Sequence, residues 1–99
     1  MRRGTTPTHT FVLPLDMDTV TSFRVIYAQG DEVKLRKEKD DCSIDGNVIT
    51  VKLSQEETLS FNMGKIVEIQ VRILCGDIAM ASDIMYVSVE RLLEDEVIE

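Results

Sequence analysis

Apolar and polar residues alternate with a period of two through most of this 99-residue chain, the spacing of strands with one buried face. Phe11, Leu13 and Leu15 alternate with Thr10, Val12 and Pro14, and Phe23, Val25 and Tyr27 alternate with Arg24, Ile26 and Ala28. Pro14 cannot donate to a ladder, which places it at an edge or a bulge. Gln29-Gly30-Asp31 predicts a tight connection into a return arm with Val33 and Leu35 inward. Lys37 to Asp41 reads as a charged loop, and Cys42 to Ile44 as a short strand. Asp45-Gly46-Asn47 carries hairpin-turn residues before a strand with Ile49, Val51 and Leu53 on one face.

Ser54-Gln55-Glu56-Glu57 has the spacing of a capping box and predicts one helical turn ending near Leu59. Leu59 and Phe61 are expected to plug one end of the core. Val67, Ile69, Val71 and Ile73 form the longest clean alternation, and Gly76-Asp77 is a two-residue turn signal. Pairing across that turn sets Ile73 opposite Met80 and Val71 opposite Ser82. Met85, Val87 and Val89 then fall on odd numbers where Met80 is even. A one-residue slip exchanges the two faces of a strand, so a β-bulge is predicted near Ser82-Asp83.

About seven strands at this rhythm, with one short helical turn, predict an all-β fold: an immunoglobulin-like antiparallel β-sandwich. A small barrel is the alternative closure. Residues 1–99 read as one domain, with an N-terminal arm at 1–8 and an acidic C-terminal arm at 90–99. The charge sharpens this picture. Eighteen acids against eleven bases give a net charge of −7, opposite to the basic face expected of a nucleic-acid binder. The bases are scattered among acids, so no anionic-membrane surface is expected either. The opening Met1-Arg2-Arg3 precedes no apolar run, so no signal peptide is expected. Cys42 and Cys75 are then expected to be free thiols in the cytoplasm.

Candidate chemistry is sparse. His9 is the single histidine, and its expected place is the surface or a subunit contact. Asp41-x-Ser43-x-Asp45-Gly46 has half the pattern of a calcium loop, but Lys52 stands where the bidentate glutamate belongs. Glu57 is accounted for by the capping box, and Glu56 by solvent exposure. No cofactor, metal site or enzymatic activity is expected. The acidic arm is the least ordinary segment: residues 90–99 hold five acids and one base, with Leu92, Leu93, Val97 and Ile98 among them. Leu92 and Leu93 either close the domain's own core or, with Val97 and Ile98, dock on another subunit. Arg2 and Arg3 of a second copy are the candidate receiving surface, so Arg2, Arg3, Leu92, Leu93, Val97 and Ile98 are the expected contact residues of a homo-oligomer or another protein complex.

Several stretches together carry a resemblance: Arg2-Arg3-Gly4-Thr5-Thr6-Pro7-Thr8, Ile26-Tyr27-Ala28-Gln29, Leu53 through Phe61, Ile69-Gln70-Val71-Arg72 and Ala81-Ser82-Asp83. They resemble a family of short, uncharacterised phage and prophage proteins that lie among tail and baseplate genes. The Thr-rich entry into the first strand is also similar to the immunoglobulin-like N-terminal domain of phage upper-baseplate proteins. The resemblance implies a non-enzymatic tail or baseplate structural or assembly protein, cytoplasmic when expressed and associated with the virion in assembly. The alternative reading is a small cytoplasmic adaptor or inhibitor of a host protein.

Overall fold

A computed structural model describes all 99 residues. Eight strands run in the order β1 (Thr8–Val12), β2 (Ser22–Gln29), β3 (Glu32–Lys37), β4 (Cys42–Asp45), β5 (Val48–Lys52), β6 (Val67–Cys75), β7 (Ile78–Ala81) and β8 (Met85–Val87). One helical turn, α1 (Gln55–Leu59), follows β5, and short 3-10 turns cover Met17–Thr19 and Lys39–Asp41. The strands form two antiparallel sheets, β1-β5-β4 and β3-β2-β6-β7, with β8 also on β6. The sheets pack as a sandwich. With β1 taken as the second immunoglobulin strand, the orders β1-β5-β4 and β3-β2-β6-β7 are the B-E-D and C′-C-F-G orders of that sandwich.

The predicted alternation explains the core. Phe11, Ile49 and Val51 from the smaller sheet meet Val25, Tyr27, Val67, Ile69 and Val71 from the larger one. Phe61 is buried at one end, as the plug role required, while Leu59 beside it is half-buried. Ser54 caps α1 in both directions: its Oγ accepts from Glu57 N–H at 3.1 Å, and Glu57 Oε1 accepts from Ser54 N–H at 2.9 Å. This is the reciprocal arrangement that the spacing predicted.

β6 and its last partners contain the expected bulge. Ile73 faces Met80 and Arg72 faces Ala81, but Ile69 faces Met85 and Val67 faces Val87, a register displaced by one residue. Ser82 fills the break. Its N–H donates to Val71 O at 2.9 Å, and its Oγ accepts from Val71 N–H at 3.0 Å, in place of a strand carbonyl. β7 and β8 are thus two halves of one arm, which raises the strand count from seven to eight.

β3 differs from expectation. Tyr27 faces Leu35 but Ala28 faces Val33, so Lys34 is an extra residue and the register shifts there. Leu35 keeps contact with the core, whereas Val33 turns out to solvent. A bulge exchanges the faces of a strand, and regular alternation on one strand alone does not reveal it. Cys42 and Cys75 are free and half-buried. No helix is long and apolar enough to cross a membrane.

Candidate functional site

Two regions gather polar side chains, and each is fixed by the elements beneath it. The first lies between the sheets. His9 on β1 pairs with Val51, and Val51 pairs with Cys42 on β4, so all three face the larger sheet. Tyr27 on β2 points at them from the opposite side. Its hydroxyl and His9 Nδ1 are 2.7 Å apart, and the two rings are tilted at 31° with centroids 5.6 Å apart. His9 is therefore turned into the sandwich and half-buried, in contrast to the surface position its sequence context suggested. The ion pair of Lys37 with Glu57 closes the same end.

Burial sets the electrostatics of this cluster. It pushes the His9 imidazole below its ordinary range and the Tyr27 phenol well above its own. It also raises the Cys42 thiol, with the Asp41 carboxylate acting in the same direction. For Glu57, burial pulls upward, but hydrogen bonds from Lys37 and Ser54 outweigh it and hold the carboxyl below the usual range. A neutral His9 hydrogen-bonded to an un-ionised Tyr27 is thus the favoured state near neutrality. The cluster satisfies buried polar groups; its thiol is held protonated, away from the reactive thiolate form. Asp41 of the calcium-like pattern accepts from Glu38 N–H at 3.0 Å, which caps the 3-10 turn.

The second region joins the chain ends. Val89 is the last residue of the core. Beyond it residues 91–99 run without regular structure, as a strap across the N-terminal arm and α1. Arg2 and Glu90 form a parallel bridge, reinforced by an ion pair of 2.8 Å and by Arg2 Nη1 donating to Arg91 O at 2.6 Å. Arg3 Nη1 holds Asp95 at 2.8 Å, and Nη2 donates to Leu59 O at 2.9 Å. The Arg3 side chain is only 16% exposed, and its buried Nε finds no partner. The side-chain amide of Gln55 clips the strap further along: Nε2 donates to Ile98 O at 3.0 Å, and Oε1 accepts from Ile98 N–H at 2.9 Å.

The six residues singled out from the sequence therefore meet in one place, within one chain. Arg2 and Arg3 already hold the acidic segment of their own chain, so as they stand they are not an open surface for another copy's arm. Leu92 is half-buried over Gly4, where an added Cβ would lie 2.4 Å from Leu92 Cδ2. Leu93 is 89% exposed and Ile98 78%, while Val97 is partly exposed. The pair Leu92-Leu93 is split: the first helps close the fold and the second faces solvent. Gln55 escaped the sequence reading because a glutamine on a capped turn carries no sign of what its amide holds.

Comparison with family models, with curated proteins and with solved structures gives no match.

Proposed function

We propose that this chain is a non-enzymatic structural or assembly protein of a phage tail or baseplate, acting through protein contacts. The observation that carries the reading is the strap. Residues 90–99, with four excess negative charges, are held in one course by Arg2, Arg3 and Gln55, yet leave Leu93 and Ile98 uncovered. Fixing a contact segment before it meets its partner reduces the ordering entropy of association. Exposed aliphatics on such a segment supply area to bury.

Co-sedimentation tests it. In a lysogen that carries the gene, the chain is expected to band with tails or baseplates after induction. If complete, infectious particles lack it and all of it stays in the free fraction, the reading is wrong.

A further inference from the structure

The larger sheet turns its outer face to solvent, and on that face three arginines outnumber the acids Glu68 and Glu38 in a chain that is itself acidic. The registers place its side chains in rows. Arg24 stands directly opposite Arg72, with Ala81 next on β7. Arg36 lies beside Ile26 on the adjoining row, and Ser22, Leu74 and Ala79 make the row on the other side. Three of the six arginines thus share one face of a chain with net charge −7. Like charges directly across a ladder destabilise a sheet. Glu38, 3.2 Å from Arg24, offsets one of the three, whereas Arg36 and Arg72 join no ion pair.

The strap carries the complement. Glu90 and Asp95 are engaged by Arg2 and Arg3, but Glu94, Glu96 and Glu99 pair with no cation of the chain. They flank the exposed Leu93 and Ile98. One surface therefore offers free carboxylates among uncovered aliphatics. The other offers free guanidinium groups among Ile26, Leu74 and small alanines.

Resting on the contact-protein reading above, we propose that residues 93–99 of one copy dock on the Arg24–Arg36–Arg72 face of a second copy. Carboxylates enter the arginine rows and relieve their mutual repulsion, while Leu93 and Ile98 are covered by the sheet. The two surfaces are different parts of the chain, so the contact runs head to tail and, repeated, closes into a ring or extends into a filament. Charge sets the register and the choice of partner more than the strength, and salt screens it.

Charge reversal on exposed positions tests the contact in the full chain. One variant carries Arg36→Glu with Arg72→Glu, the other Glu94→Lys with Glu96→Lys. By sedimentation at low salt, the wild type is expected to gain mass with concentration and to lose it at about 0.5 M salt, where charges are screened within a few ångströms. Each variant alone is expected to associate about tenfold more weakly, a shift in the range of exposed charge pairs acting together. An equimolar mixture is expected to regain association, because the reversed strap meets the reversed face and the native strap the native face. Melting curves confirm that both variants fold. The proposal is overturned if the wild type keeps the mass of one chain at every soluble concentration. It is equally overturned if the reversals leave association unchanged, or if the mixture associates no more than its parts. Its failure is separable from that of the function: particles would still carry a chain that does not self-associate, and a self-associating chain absent from particles would remove only the tail reading.

Discussion

β2 and β6 pair through eight consecutive residues without a break, whereas their outer neighbours β3 and β7–β8 each shift register once. The inner pair has ladder partners on both sides and sends every second residue into the core. The flanks have one paired side, and their bulges turn Val33, Ile84 and Tyr86 toward solvent. Bulged edges resist indiscriminate strand pairing. The centre of the sheet is thereby built for stability, and the flanks and the strap are left to present side chains. The same alternation rule writes both regions; a one-residue insertion decides which outcome it has.

The largest effect should come from removing volume at the centre. Ile69→Ala on β6 should cost about 2–5 kcal/mol, or about 4–8 °C in Tm for each kcal/mol in a domain of this size. Tyr86→Ala on β8, where the ring is 68% exposed, should stay within about 0.5 kcal/mol. Equal losses at the two sites, measured by thermal or urea midpoints, would erase the distinction between centre and flank.

Gly4 tests the seam between core and strap. Its φ is +73°, and an added Cβ would overlap Leu92. Gly4→Ala should cost about 1–2 kcal/mol from the backbone conformation alone, and more from displacing Leu92. Combining it with Leu92→Ala should cost less than the sum of the two single changes, which a double-mutant cycle reads directly.

Smaller losses are expected where one hydroxyl holds a break or a cap. Ser82→Ala leaves Val71 N–H without its acceptor and should cost about 1 kcal/mol. Ser54→Ala should cost about the same, and Ser54→Asp much less. If Ser54→Ala and Ser54→Asp are equally harmless, the cap contributes nothing to the placement of α1.

The smallest effect is a pH dependence. Burial holds the folded His9 below its ordinary value of 6.5, so the unfolded chain binds a proton that the folded chain refuses. That contribution is fully present above pH 6.5 and is lost as pH falls through the lowered folded value. Glu57 acts in a separate window, since its stabilisation fades only below its ordinary value of 4.5. His9→Gln should flatten the decline just below pH 6.5 and leave the more acidic one in place. An unchanged slope in the upper window would place the titration elsewhere.

Much of the architecture was legible in the residues. Strict alternation located β2 and β6, the S-x-x-E spacing gave the capped turn, and the clash of even Met80 with odd Met85 located the bulge at Ser82. Lys34 was not legible, because a bulge inside an otherwise regular strand shows only against a partner register. His9 was misplaced for a related reason: β1 continues back to Thr8 and so turns the ring inward onto Tyr27. The strap was half legible. Its charge and aliphatics marked the segment, but the cis grip by Arg3 and Gln55 depends on long-range closure that no local pattern encodes. The arginine face was hidden as well, since Arg24, Arg36 and Arg72 lie far apart along the chain and meet only through strand order.

The central claim is that the sandwich supplies stability while the strap supplies contact. Deleting residues from Glu94 onward removes the Arg3–Asp95 pair and the Gln55–Ile98 clip but keeps Leu92 over Gly4. Co-sedimentation of this shortened chain with tail particles, in parallel with the full-length protein, is the most direct test. The expected result is a chain that still melts cooperatively, about 4–8 °C below its parent for a loss of about 1 kcal/mol, and no longer bands with the particles. A shortened chain that stays with them as fully as the parent would contradict the account and move the contact surface onto the sheets.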